Sequence, residues 1–137
     1  MTLYLDTSVI VKLYIREDDS DDVAGAVTDA TVVATSWLAY PEACAAFERR
    51  RRDRSVSPAA LKAARQAFEA DWTSWIAVGI DTDLVRHSAR LAEKHGLRAA
   101  DAVHLASFER ILASAEDDDV RFMCADARLS KAARSLG

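Results

Sequence analysis

The sequence is short of the residues that anchor, staple or interrupt a chain. No run of about 18 apolar residues occurs, so no segment is suited to spanning a bilayer. Only two cysteines are present, Cys44 and Cys124, far apart and each among small or apolar neighbours. They read as two buried free thiols, and neither has a companion at the spacing of a zinc site. Four glycines and two prolines leave little to break regular structure, and repeats and long linkers are also missing. A basic excess is absent too. The net charge is −4 and the pI about 5.3, whereas a domain that binds nucleic acid by bulk electrostatics has a pI above about 9. That balance leaves room for an enzyme that meets RNA locally, because a site for divalent cations is itself rich in acids. The first residues, Met1-Thr2-Leu3-Tyr4-Leu5-Asp6, carry no basic stretch ahead of a long apolar run. The expected location is therefore the cytoplasm.

What is present is one domain's worth of chain. Its 137 residues, half of them hydrophobic, suffice for a core without staples. Residues 3–5 read as a short buried strand and 9–15 as a helix. Residues 21–30 suit a second helix, and the β-branched run 31–35 suits a buried parallel strand. Ser36 is placed to cap a long helix over 41–52. Ser57-Pro58 marks a helix start with Pro at the first helical position. Beyond it Leu61, Ala64, Phe68, Trp72 and Trp75 form a core stripe at helical spacing. A third strand is expected over 76–80, capped by Asp81-Thr82-Asp83, and the next helix stops at Gly96. The most apolar helix lies within 97–115, a last strand spans 120–124, and a final helix runs from Asp126 to Gly137. Strands alternating with helices imply an α/β fold, a short parallel sheet of about four to five strands flanked by helices.

Parallel sheets place their ligand sites beyond the carboxyl ends of the strands. Asp6 follows the first strand, Glu42 follows the second by a short segment, and Asp126 follows the last. Asp101 opens the helix Ala99-Ala100-Asp101-Ala102-Val103-His104-Leu105-Ala106, which starts at the same edge. Each acid alone also fits helix capping, worth about 0.3–1 kcal/mol. Asp101 fits it least, since its helix is largely Ala, Val, Leu and Phe, and a buried carboxylate calls for a cation. Four converging carboxylates suit Mg²⁺ or Mn²⁺, hard ions that take oxygen ligands and activate water toward a phosphodiester. The one basic cluster is Arg49-Arg50-Arg51-Arg52 with Arg54. Arg49 stands seven residues after Glu42, on the same helix face and about 10 Å along it, in reach of a neighbouring phosphate. Arg98, three residues before Asp101, is a second candidate for a phosphate contact. His104 reads as a packed or hydrogen-bonded histidine.

Leu5-Asp6-Thr7-Ser8, Ser36 with Glu42, Ala100-Asp101-Ala102-Val103-His104-Leu105-Ala106 and Ala125-Asp126-Ala127-Arg128-Leu129 together resemble the PIN-domain ribonucleases. More closely, they resemble the VapC toxins of bacterial toxin–antitoxin pairs. The resemblance covers the whole chain and implies a PIN-like three-layer fold over residues 1–137. It implies that Asp6 and Asp101 bind Mg²⁺ (or Mn²⁺), that Glu42 completes the site, and that Asp126 is a fourth, more variable acid. It further implies endonucleolytic cleavage of RNA, a homodimer, and a cognate antitoxin that enters the active-site groove and for which Arg98 is a candidate contact. One departure stands out. Cys124 occupies the place where the family often has Thr or Ser, two residues before the last acid. The run Asp117-Asp118-Asp119 could stand in for Asp126, though a solvated loop is its simpler explanation. Two other functions fit an α/β chain. A phosphoacceptor signalling domain would need a Lys at a later strand end, which is lacking. A non-catalytic partner-binding domain would not need all four acids.

Overall fold

The computed structural model describes residues 1–116 and 119–136. Asp117, Asp118 and the expected helix end at Gly137 lie outside them. The elements run β1 (Thr2–Leu5), α1 (Thr7–Tyr14), α2 (Ser20–Asp29), β2 (Val32–Ser36), α3 (Ala39–Arg52), α4 (Pro58–Trp72), β3 (Ile76–Val78), α5 (Thr82–His95), α6 (Ala99–Ser114), β4 (Val120–Met123) and α7 (Ala127–Leu136). Among the described residues the sheet has four strands, all parallel, in the order β3-β2-β1-β4. Thr2 pairs with Val32 on one side and Val120 on the other, so β1 is central.

Period-two alternation sorts β1 between two helical layers. Leu3 and Leu5 join Val9, Ile10, Phe47, Leu61 and Phe68 in a core formed with α1 to α4. Tyr4 points the other way, into a second core with Leu84, Leu91, Leu105, Phe108 and Leu129 from α5 to α7. Each fully buried side chain of this size contributes about 1.5–3 kcal/mol relative to exposure. The result is the expected three-layer α/β arrangement.

Local chemistry explains most element ends. Ser57 accepts from the Ala60 N–H at 3.2 Å, with Pro58 opening α4. Asp81 accepts from the Leu84 N–H at 2.8 Å at the start of α5. Gly96 ends that helix with φ 64°, a left-handed conformation that costs glycine nothing. Trp75 lies past the end of α4 but extends its stripe, with ring centroids 6.4 Å from Phe68 and 6.1 Å from Trp72.

Three expectations need adjusting. Helix α3 begins at Ala39, not Pro41, so Pro41 sits in the first turn, where its missing N–H has no helical partner to lose. Ser36 closes β2, and its hydroxyl accepts from the Leu38 N–H at 3.1 Å ahead of the helix instead of capping it. The cysteines are free as expected, but each is half-buried.

Candidate active site

The chain leaves β1 toward β2 on one side, while β4 arrives later on the other. The carboxyl ends of β1 and β4 therefore flank a topological switch point, where open parallel sheets bind ligands. Two hydrogen bonds tie these ends together. The Asp6 N–H donates to the Met123 carbonyl at 3.1 Å, and the Ala125 N–H donates to Ser8 Oγ at 3.2 Å.

Asp6 stands at this point as the N-cap of α1, with an extended backbone and only 6% exposure. Its Oδ1 accepts from Ser8 Oγ at 2.7 Å and from the Val9 N–H at 3.4 Å. Burial pushes its carboxyl above the usual range. The Ser8 and Val9 donors and a His104 charge pull it down, and the negative charge of Asp101 pushes it up again. Capping thus occupies one oxygen of a carboxylate whose charge remains undercompensated.

Glu42, in the first turn of α3, is held by two other elements. Thr7 Oγ1 donates to its Oε1 at 2.7 Å, and His104 Nε2 lies 2.9 Å from the same oxygen. Burial raises the Glu42 carboxyl, but these donors outweigh it and hold the group below its ordinary value. His104, on α6 and 2% exposed, carries the chain of contacts inward, with Nδ1 2.9 Å from the Tyr4 hydroxyl. Burial also pushes the Tyr4 phenol well above its usual value, so it stays protonated.

Asp101 lies in the first turn of α6, one turn before His104, with its side chain 19% exposed. The Arg98 Nε is 3.5 Å from its Oδ2, and Arg98 itself is largely in solvent. Asp126 Oδ1 accepts from the Leu129 N–H at 2.9 Å at the start of α7. Cys124 does not reach the Asp126 carboxyl. Its thiol donates to the Asp126 backbone carbonyl at 3.2 Å and meets Ser130 Oγ at 2.9 Å.

A groove of about 640 Å³ opens from this edge between α1 and α3, lined by Thr7, Ser8, Glu42, Arg49, Arg50 and Lys12 among others. Arg49 therefore shares the groove with Glu42, as their seven-residue spacing suggests. Glu17, also on the wall, pairs with Arg50 and lies 4.0 Å from Lys12. Acids and cations alternate along its lining, with Glu42 near the strand ends and Lys12, Glu17, Arg49, Arg50 and Asp53 elsewhere on the wall.

Among the described residues, no three His, Cys, Asp or Glu side chains form a set that could hold a metal ion by themselves. The donors do fit a hard ion in kind. All are carboxylate oxygens, and Mg²⁺ keeps several waters while one or two carboxylates bind it. Asp101 is near enough for its charge to push the Asp6 carboxyl up. Two residues emerge that sequence patterns had not assigned: Thr7 and Ser8, hydroxyls directly after Asp6, orient Glu42 and Asp6 respectively.

The PIN domain family model matches residues 3–135. Two relatives come from Mycobacterium tuberculosis: ribonuclease VapC45 of strain CDC 1551 / Oshkosh and ribonuclease VapC49 of strain ATCC 25618 / H37Rv. Each is 38% identical over 106 residues, which cover 77% of this chain and 73% of the relative.

Proposed function

The chain belongs to the PIN-domain family, and on that premise we propose that it is a Mg²⁺- or Mn²⁺-dependent endoribonuclease, the toxin of a toxin–antitoxin pair. The observation that carries this proposal is the groove that joins Glu42 to Arg49 beside the buried Asp6 at the switch point. Asp6 and Asp101 would hold the ion, and Glu42 from α3 and Asp126 from the start of α7 would complete the site through its retained waters. The bound ion supplies Lewis acidity toward water and toward the phosphate to be cleaved.

The protein's own groups do the rest. Ser8 and the Val9 N–H favour the charged form of Asp6 and offset part of the upward push of burial. Glu42, held below the ordinary carboxylate range, stays anionic at neutral pH and is able to take up a proton from an attacking water. Arg49, with Lys12 and Arg50 further along, seats the flanking phosphates of a single strand. Arg98, over Asp101, stands where it could meet either a phosphate or an acidic antitoxin segment. A homodimer and a cytoplasmic site of action complete the proposal. Among the described residues no helix is long and apolar enough to cross a membrane.

Incubation of purified protein with RNA of defined sequence, with Mg²⁺, with Mn²⁺ and with chelator, tests the proposal. Internal cleavage that requires the ion is expected. Cleavage undiminished by the chelator, or none under any condition, contradicts it.

A further inference from the structure

We propose that Tyr4 and His104 are positioning residues that lock Glu42 in the site, so that one of its oxygens is fixed and the other is presented to the groove. The inference rests on the ribonuclease function proposed above. Glu42 belongs to α3 in one helical layer, and His104 belongs to α6 in the other. The histidine reaches through the carboxyl edge of the sheet to bridge them.

The proton inventory makes His104 a donor toward Glu42. Thr7 Oγ1 has one hydrogen and spends it on Glu42 Oε1 at 2.7 Å, so it has none to offer His104 Nε2 at 3.1 Å. Nε2 lies 2.9 Å from that same carboxylate oxygen, and two acceptors do not approach so closely without a hydrogen between them. Nε2 therefore carries the hydrogen. On the far side, Tyr4 Oη is 2.9 Å from Nδ1. A neutral ring takes the phenol hydrogen there. A cationic ring donates to the phenol instead, and the phenol then turns its hydrogen to the hydroxyls of Ser107 or Thr35. Those two hydroxyls spend their own hydrogens on the carbonyls of Val103 and Leu5, so they accept in either case. Both states present Nε2–H to Glu42. His104 is thus unsuited to act as a base toward the groove, and with Thr7 it saturates Oε1.

The geometry holding this arrangement is rigid. Tyr4 is fully buried, stacked on Phe122 at 5.3 Å and edge-on to Phe108 at 5.7 Å. His104 packs edge-on to Tyr4 at 6.0 Å. With Oε1 accepting from both Thr7 and His104, Oε2 is the oxygen left for an incoming ion or water. A donor that orients a site carboxylate typically matters 10- to 100-fold to activity or ion affinity.

The experiment compares His104→Leu and His104→Gln, each alone and combined with Glu42→Gln. It reads single-turnover RNA cleavage, Mn²⁺ affinity by calorimetry, and melting temperature. His104→Leu is expected to slow cleavage about 10- to 100-fold and to weaken Mn²⁺ binding. His104→Gln, whose amide nitrogen reaches the place of Nε2, is expected to recover most of both. In the Glu42→Gln background His104→Leu is expected to change Mn²⁺ affinity no further, since no carboxylate remains to be positioned. Equal losses in the two backgrounds, or wild-type cleavage and affinity for His104→Leu, overturn the proposal. Should His104→Leu fail to fold, Tyr4→Phe keeps the ring stacking and is expected to show the same non-additivity with Glu42→Gln. The imidazole ¹⁵N resonances give a readout independent of turnover. Protonated Nε2 is expected, and a neutral ring carrying its hydrogen on Nδ1 overturns the proposal. Asp101→Asn separates the two levels. If it cleaves RNA normally, the ribonuclease site itself has failed. If it is inactive while His104→Leu matches wild type, only the positioning role has failed.

Discussion

Replacing Ser8 by Ala removes the single hydroxyl that joins the two strand ends at the site. Ser8 Oγ donates to Asp6 Oδ1 at 2.7 Å and accepts from the Ala125 N–H at 3.2 Å. A hydrogen bond to a charged group is worth about 1.5–3 kcal/mol. The lower half applies, because Ser8 is exposed and water replaces part of the loss. The Ala125 amide is exposed as well, so water satisfies it at little cost. Ala gains about 0.5 kcal/mol of helix propensity over Ser in the first turn of α1. The net loss is about 1–2 kcal/mol. At about 2.1 cal/mol/K of unfolding entropy per residue, that lowers Tm by roughly 3–7 °C. The loss depends on pH in a defined direction. Ser8 stabilises the ionised carboxylate more than the protonated one, so the deficit is full where Asp6 is charged and shrinks as acid protonates it. Circular dichroism melts of both proteins with chelator present, between pH 4 and 8, read this directly. A deficit that is the same at pH 4 and pH 8, or absent throughout, refutes the claim that Ser8 acts through the Asp6 charge.

The same site yields two further expectations. Asp6→Asn is expected to abolish cleavage yet to raise the metal-free Tm at neutral pH. Burial first, and Asp101 in addition, hold the folded carboxyl above its ordinary value. Its favourable contribution is therefore present below the unfolded pKa and lost as pH rises through the folded one. The amide caps α1 as well and carries no charge, and a lowered Tm at pH 7 would count against this account of Asp6. Arg49→Ala is expected to raise KM for RNA with little change in kcat, and to reduce the slope of log K against log salt by about one. An unchanged salt slope would remove Arg49 from the substrate path.

Local signals in the sequence proved legible and distant ones did not. The starts at Ser57-Pro58 and Asp81 and the stop at Gly96 depend on a few neighbouring backbone groups, so the pattern alone suffices to place them. The start of α3 was displaced by two residues because Pro41 tolerates several first-turn positions, not only the first. Asp6 and Asp126 were equally suited to capping and to a site, and the structure shows each carboxylate capping its helix with one oxygen. A cap made by one oxygen leaves the other for the role proposed. What no linear pattern carried was the strand order, and hence which strand ends meet. His104 was legible as a hydrogen-bonded histidine, but its partner Glu42 is 62 residues away, on the opposite layer. Thr7 and Ser8 were visible as part of a motif, while their division of labour between Glu42 and Asp6 depends on the entry geometry of α1.

Cleavage of a defined RNA by purified Asp101→Asn protein, with Mn²⁺ present and the fold checked by its melting curve, tests the central claim most directly. Asp101 is half-buried one turn before His104, and its charge acts on Asp6. The expected result is a folded protein with RNA cleavage reduced to background. Cleavage at the wild-type rate would contradict the carboxylate site and the function built on it.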